Sequence, residues 1–182
     1  MRTMRRTTIH ILRMIPAALL LAACGDAPGG GRAGGPVRVG AEAPAYAAET
    51  LDGERMAISQ LRGRPVLLNV WATWCHPCRQ EIPALEQLHR TYAPRGLHVV
   101  GVSIDQGDQQ QGIREFLQEY GASYPIWLDP DGEIQTAYST MGVPNTFLIG
   151  PDGRVLWKHV GPVTADNAEL VRLIEKSLPA AS

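Results

Sequence analysis

Two nearly unbroken apolar runs, RPVLLNVWA (Arg64 to Ala72) and GLHVVGVSI (Gly96 to Ile104), stand out along the chain. Both are rich in β-branched and aromatic residues and predict strands buried in the middle of a sheet. The first follows a turn signal, Arg62-Gly63-Arg64-Pro65. Between the runs, Ile82, Leu85, Leu88 and Tyr92 recur at helical spacing from Cys78 onward, and the pattern stops before Pro94 and Gly96. Strand, helix, strand is a βαβ unit, which implies parallel strands joined by a right-handed crossover.

Beyond it, a polar stretch from Asp105 to Gly112 leads to a helix predicted over Ile113 to Tyr120 and a short strand over Pro125 to Leu128. The turn DPDG is followed by a short helix, Glu133 to Thr140. Two strands, Asn145 to Ile149 and Val155 to Val160, are joined at Pro151-Asp152-Gly153 as a hairpin. A last helix over Thr164 to Leu178 places Ala168, Val171, Leu173, Ile174 and Leu178 near one face. The order is β-α-β, an insertion, then α-β-β-α. No internal repeat is visible.

Composition adds bounds. With 182 residues, 45% hydrophobic and 19% charged, the chain can build one ordinary core. A formal charge of −1 supplies no basic field, and no interleaving of basic and aromatic residues marks a nucleic-acid partner. The N-terminus is different. MRTMRRTTIHILRM carries four arginines and no acid, and the apolar run IPAALLLAA after it is too short to span a bilayer, so residues 1–23 predict a secretory signal. Leu21-Ala22-Ala23-Cys24 resembles the lipobox of bacterial lipoproteins, which implies lipid on the Cys24 sulfur and a membrane anchor. Residues 24–36, with GDAPGGGRAGGP, predict a flexible tether, and 37–182 the folded domain.

Cys75 and Cys78 remain, three positions apart where the first strand meets the helix. A disulfide there closes a very short loop and stabilises little, so a structural staple is a poor use of the pair. Thiol–disulfide exchange suits it better. Exchange needs a thiolate, and the unsatisfied N–H groups at a helix start favour the anion. Cys75 is then the nucleophile and Cys78, one turn inside, resolves the mixed disulfide. Pro77 is tolerated in the first turn, where its missing N–H costs little. His76 is either a cation that stabilises the thiolate or a solvent-facing spacer. Glu81, one turn beyond Cys78, can turn its carboxylate back toward the sulfurs and carry a proton. Trp74 reads as an apolar shield beside the nucleophile, and Trp71, by strand alternation, as packing.

GRPVLLNVWATWCHPCRQEIPALEQL together with GVPNTFLIGPDG resembles the membrane-tethered thioredoxin-like proteins of bacteria, the TlpA and ResA group that includes the cytochrome c maturation thioreductases. The likeness covers about Val37 to Leu178. It implies a thioredoxin-like α/β fold: a central mixed sheet flanked by helices, an N-terminal β-hairpin within VGAEAPAYAAETLDGERMAISQLRGRPV, and a central βα insertion. It also implies a cis Pro144 beside the cysteine pair, with Val143, Pro144 and Trp74 forming the substrate surface. A functional acid is implied at Glu81, while Asn69 occupies the place where ordinary thioredoxins keep a buried aspartate. The activity implied is an extracytoplasmic reductant of protein disulfides such as apocytochrome c, recharged by a membrane thiol carrier, with no cofactor beyond the Cys75–Cys78 couple. No dimerisation domain of isomerase type is appended, and a monomer is expected. The chain departs from the group at Ala45-Tyr46, Asn145 and Gly150, and Asn145 leaves partner preference open.

Two rivals remain. A metal site lacks ligands: beyond the pair there are only His76, His89, His98 and His159, without a second paired motif, and relatives that deliver copper space their cysteines more widely. Peroxiredoxins share the fold, but carry a threonine three residues before the peroxidatic cysteine, where this chain has Ala72.

Overall fold

The computed structural model describes residues 36–180. The signal, Cys24 and all of the tether but Pro36 lie outside the described residues, as do the last two residues of the predicted domain. Seven strands, β1 (Ala47–Thr50), β2 (Arg55–Ala57), β3 (Val66–Trp71), β4 (His98–Ser103), β5 (Ile126–Leu128), β6 (Asn145–Ile149) and β7 (Val155–Val160), form one sheet in the order β2-β1-β5-β4-β3-β6-β7. β3, β4 and β5 run parallel; β1 is antiparallel to β5, and β6 and β7 continue antiparallel beyond β3. Four helices complete it: α1 (His76–Tyr92), α2 (Gln110–Tyr120), α3 (Glu133–Ala137) and α4 (Ala168–Ser177). The mixed sheet, the β1–β2 hairpin and the α2–β5 insertion are the architecture that the resemblance implies.

Every residue of β3 is buried, which is why its sequence reads as a run and not as an alternation. Both faces are covered. Trp71 stacks on Phe116 of α2 at 5.2 Å, whereas Leu68 stands in register with Phe147, whose ring meets Tyr138 just after α3 at 5.0 Å. Burying each large apolar side chain of this strand contributes on the order of 2 kcal/mol. Asn69 shares the Trp71 face, a polar residue in the best-shielded strand of the sheet.

Gly101 in β4 is fixed by close approach. A methyl group there would lie 2.8 Å from Ile126 Cδ1 and 2.9 Å from Trp71 Nε1. Gly101→Ala is therefore expected to cost about 1–3 kcal/mol by overpacking, read as a lower urea midpoint with an unchanged slope.

Helix boundaries differ from the sequence pattern in instructive ways. α1 begins at His76, before the first periodic apolar residue, because the Cys75 sulfur caps it by accepting a hydrogen bond from Cys78 N. It then runs through Pro83, which has no N–H for the Arg79 carbonyl; Pro83 stays on the exposed side. α2 starts three residues earlier than predicted. α4 starts later, at Ala168, where Asn167 caps it through Leu170 N. α3 ends at Ala137, short of Thr140, and Asp129 holds its start by accepting from Glu133 N and Ile134 N.

Candidate active site

The carboxyl ends of β3 and β4, adjacent and parallel, present their loops at one edge of the sheet, the usual place for a site in such folds. There Cys75 and Cys78 are joined in a disulfide, with an S–S distance of 2.07 Å. Cys75 Sγ also accepts a hydrogen bond from Cys78 N at 3.2 Å, which places that sulfur on the unsatisfied end of α1. Cys78 is fully buried, while Cys75 keeps a sliver of surface at 4%. The asymmetry matters chemically: once reduced, only Cys75 can meet an outside disulfide. His76 and Pro77 lie exposed in the first turn.

Trp74 is 64% exposed, and Met141 is fully so. Both line a groove of ≈ 700 Å³ together with Thr73, Asp105, Gln109 and Asp131. The Val143–Pro144 peptide bond is cis, as the resemblance implies. Pro144 itself is buried, and its carbonyl accepts from Gly161 N at 3.0 Å. Trp71, by contrast, is wholly enclosed in the core, in agreement with strand alternation.

Glu81 is not a surface residue. It is completely buried, with Oε1 accepting from Asn69 Nδ2 at 2.8 Å and Oε2 from Val163 N at 3.0 Å. Burial pushes its carboxyl up to about 7, and the two hydrogen bonds act against that rise. An acid tuned to neutral pH behind a thiol pair can take and return a proton under ordinary conditions. The sequence places Glu81 one turn from Cys78, but does not reveal that Asn69, twelve residues earlier, binds it directly.

Four further residues escape sequence reasoning. Thr73 is clamped at both ends of its backbone: Asp105 accepts from its N–H at 3.0 Å and from its hydroxyl at 2.6 Å, and Arg79 donates to its carbonyl at 3.0 Å. Ser103 adds a 2.7 Å bond to Asp105. These contacts hold the segment that ends in Cys75. One signal was present: an acid directly after a parallel strand, on the edge where the cysteines emerge. Asp105→Ala is expected to cost about 2–3 kcal/mol, because Thr73 N–H and two hydroxyls lose their acceptor. Urea unfolding checks the stability, and the alkylation rate of reduced Cys75 checks the loosened segment.

Proteins of similar sequence and structure share this geometry's dithiol chemistry by name. The AhpC/TSA family matches residues 39–158. The thiol-disulfide oxidoreductase ResA of Bacillus subtilis is 34% identical over 69% of this chain and 69% of its own length. The thioredoxin-like protein YneN of the same organism is 37% identical, over 73% and 78% respectively. Among solved structures, a thiol:disulfide interchange protein of the thioredoxin family from Chlorobium tepidum superposes with a TM-score of 0.64 at 29% identity, covering 80% of this chain and all of that one. A paired dithiol site on a thioredoxin-like fold, joined to these similarities, makes the chain a member of the AhpC/TSA family and, within it, of the ResA-like thiol–disulfide oxidoreductases.

Proposed function

We propose that the protein is an extracytoplasmic reductant of disulfides in secreted partners such as apocytochrome c, held at the periplasmic side of the membrane by lipid on Cys24. The observation that carries the exchange chemistry is the bonded Cys75–Cys78 pair at the start of α1, backed by the buried Glu81. The anchor rests on LAAC and the tether, which but for Pro36 lie outside the described residues, and on the signal ahead of them. Among the described residues no helix is long and apolar enough to cross a membrane.

In the reduced protein, the Cys75 thiolate attacks one sulfur of a partner disulfide. That S–S bond breaks, a mixed disulfide forms, and the other partner sulfur leaves as a thiolate and takes a proton. Cys78 then loses its proton to the Glu81 carboxylate and attacks Cys75 Sγ. The mixed disulfide breaks, the second partner sulfur leaves and is protonated, and the Cys75–Cys78 bond is restored. Two electrons have passed to the partner. A membrane dithiol carrier returns them, so the couple needs no other cofactor. Pro77 sits in the first turn of the helix that polarises Cys75, and His76, exposed beside it, adds positive charge when protonated. Trp74 and the half-buried Val143 form the surface on which an extended partner segment lies, and the cis Pro144, buried behind it with its carbonyl held by Gly161, fixes the backbone of Val143. The chain acts as a monomer.

The test is a direct comparison of substrates. The reduced protein is mixed with a peptide carrying an intramolecular Cys-x-x-Cys disulfide of cytochrome type, and separately with hydrogen peroxide. Stoichiometric reduction of the peptide, with peroxide consumed no faster than by a free thiol, is the expected result. Fast peroxide consumption with an untouched peptide would replace this function by a peroxidase.

A further inference from the structure

We infer that Asn69, braced by Thr146, is a positioning residue that loosens the hold of Glu81 on its proton. The inference rests on the reading of Glu81 as the proton acceptor and deepens it by naming what tunes that acid. Asn69 and Thr146 are direct partners across the β3–β6 ladder, and both are fully buried. Asn69 Nδ2 donates to Glu81 Oε1 at 2.8 Å and to Thr146 Oγ1 at 3.0 Å. Asn69 Oδ1 is equally buried and has no hydrogen-bond partner among the described residues.

The two ends of an amide are nearly the same shape, so hydrogen bonds alone decide which end faces Glu81. Nothing holds Oδ1. The Nδ2 bond to the carboxylate therefore sets the orientation, Thr146 holds the amide in place, and the arrangement favours the ionised carboxylate, which accepts, over the acid, which has an O–H to donate. Remove the Thr146 hydroxyl, and Nδ2 loses the partner that braces it from β6, so the amide is free to turn away from Glu81. A weakened Nδ2 bond stabilises the carboxylate less, so Glu81 holds its proton more tightly. An aspartate at position 69 would go further, since two carboxyls at that distance share one proton.

Other groups that face Glu81 do not confuse the test. Val163 offers only a backbone N–H. Tyr124, from the segment entering β5, has a hydroxyl pushed well above its ordinary range by burial and by the charges of Glu81 and Glu86. Glu86, two turns along from Cys78 on α1, is held below the ordinary carboxyl range: burial works against ionisation, but Arg90 and Ser123 outweigh it. Cys75 and Cys78 titrate only when reduced.

The experiment titrates Glu81 by carbon-13 NMR of selectively labelled glutamate in the oxidised protein, where no thiol contributes. It compares wild type, Thr146→Val, Thr146→Ser and Asn69→Asp, and then records the pH profile of resolution for each reduced protein. Thr146→Val nearly preserves volume in the core. It is expected to raise the Glu81 midpoint by about one pH unit, a tenfold tighter hold on the proton. Thr146→Ser should restore it, and Asn69→Asp should raise it further. A merely structural role would lower stability without moving the midpoint. An unmoved midpoint in both Thr146→Val and Asn69→Asp overturns the inference. If the midpoint moves and the exchange profile does not follow, Asn69 and Thr146 still position Glu81, but Glu81 is not the proton acceptor of exchange.

Discussion

Replacing Cys78 with serine turns the reduced protein into a trap: mixed disulfides between Cys75 and its natural partner accumulate in the cell envelope, while Cys75→Ser gives neither adduct nor exchange. The expectation follows from burial. Cys78 is completely enclosed, so a partner disulfide reaches only Cys75. The Cys75 sulfur sits at the start of α1 and already accepts the Cys78 N–H, a donor that stabilises its anion once the disulfide opens. Without Cys78 there is no internal thiol to break the adduct, and release waits for an external one. Loss of either sulfur is expected to lower turnover on the order of a thousandfold or more, about 4 kcal/mol in the barrier. Gel separation without reductant, followed by mass spectrometry of the captured partners, checks it. Absence of adducts in Cys78→Ser together with residual exchange in Cys75→Ser would remove the mechanism, and the captured proteins decide whether apocytochrome c is among the partners.

Glu81→Gln is expected to flatten the pH dependence of stability while it slows resolution. Burial holds the Glu81 carboxyl up at about 7, against 4.5 for an unperturbed side chain. Between those values the folded protein binds a proton that the unfolded chain has released. Stability from this group is therefore complete below about pH 4.5, falls as pH rises, and is gone once pH passes 7. A gap of this width is worth on the order of 3 kcal/mol. Glutamine cannot ionise, and its carbonyl still accepts from Val163 N–H. Urea unfolding of the oxidised proteins at pH 5 and pH 8 should show wild type losing most of that amount and the variant losing little. Glu86, held low, contributes in the opposite sense, but only at more acidic pH. In the reduced state, the variant cannot take the Cys78 proton, so resolution slows at neutral pH. Stability freed from pH and chemistry lost on one substitution is the pattern of a buried functional acid. Parallel stability curves for the two proteins would return Glu81 to an ordinary buried side chain.

Much of this site is visible in the sequence because its chemistry is local. Cys75, His76, Pro77, Cys78 and Glu81 are neighbours along one helix, and strand β3 announces itself by six consecutive buried residues. Pairings across the sheet are not local. Asn69 meets Thr146 after 77 intervening steps of chain, and Val163 reaches Glu81 from a loop that follows the last strand. Neither contact has a spacing that periodicity can report. Thr73 and Asp105 come together only because β3 and β4 lie parallel and in register. Helix starts were hidden for another reason: a sulfur at Cys75 and an amide at Asn167 cap them, so each begins where a hydrogen bond is available and not where the apolar stripe begins. Pro83 does not interrupt α1, since the packing of Ile82, Leu85 and Leu88 outweighs one missing backbone bond.

The most direct measurement is the alkylation of the reduced protein by iodoacetamide across pH, with the modified cysteine identified by mass spectrometry. Cys75 should react fast well below the ordinary thiol range near pH 8.5, and Cys78 should stay unmodified until the protein unfolds. Equal rates at both sulfurs, rising only as a free thiol ionises, would contradict an anion held at the head of α1.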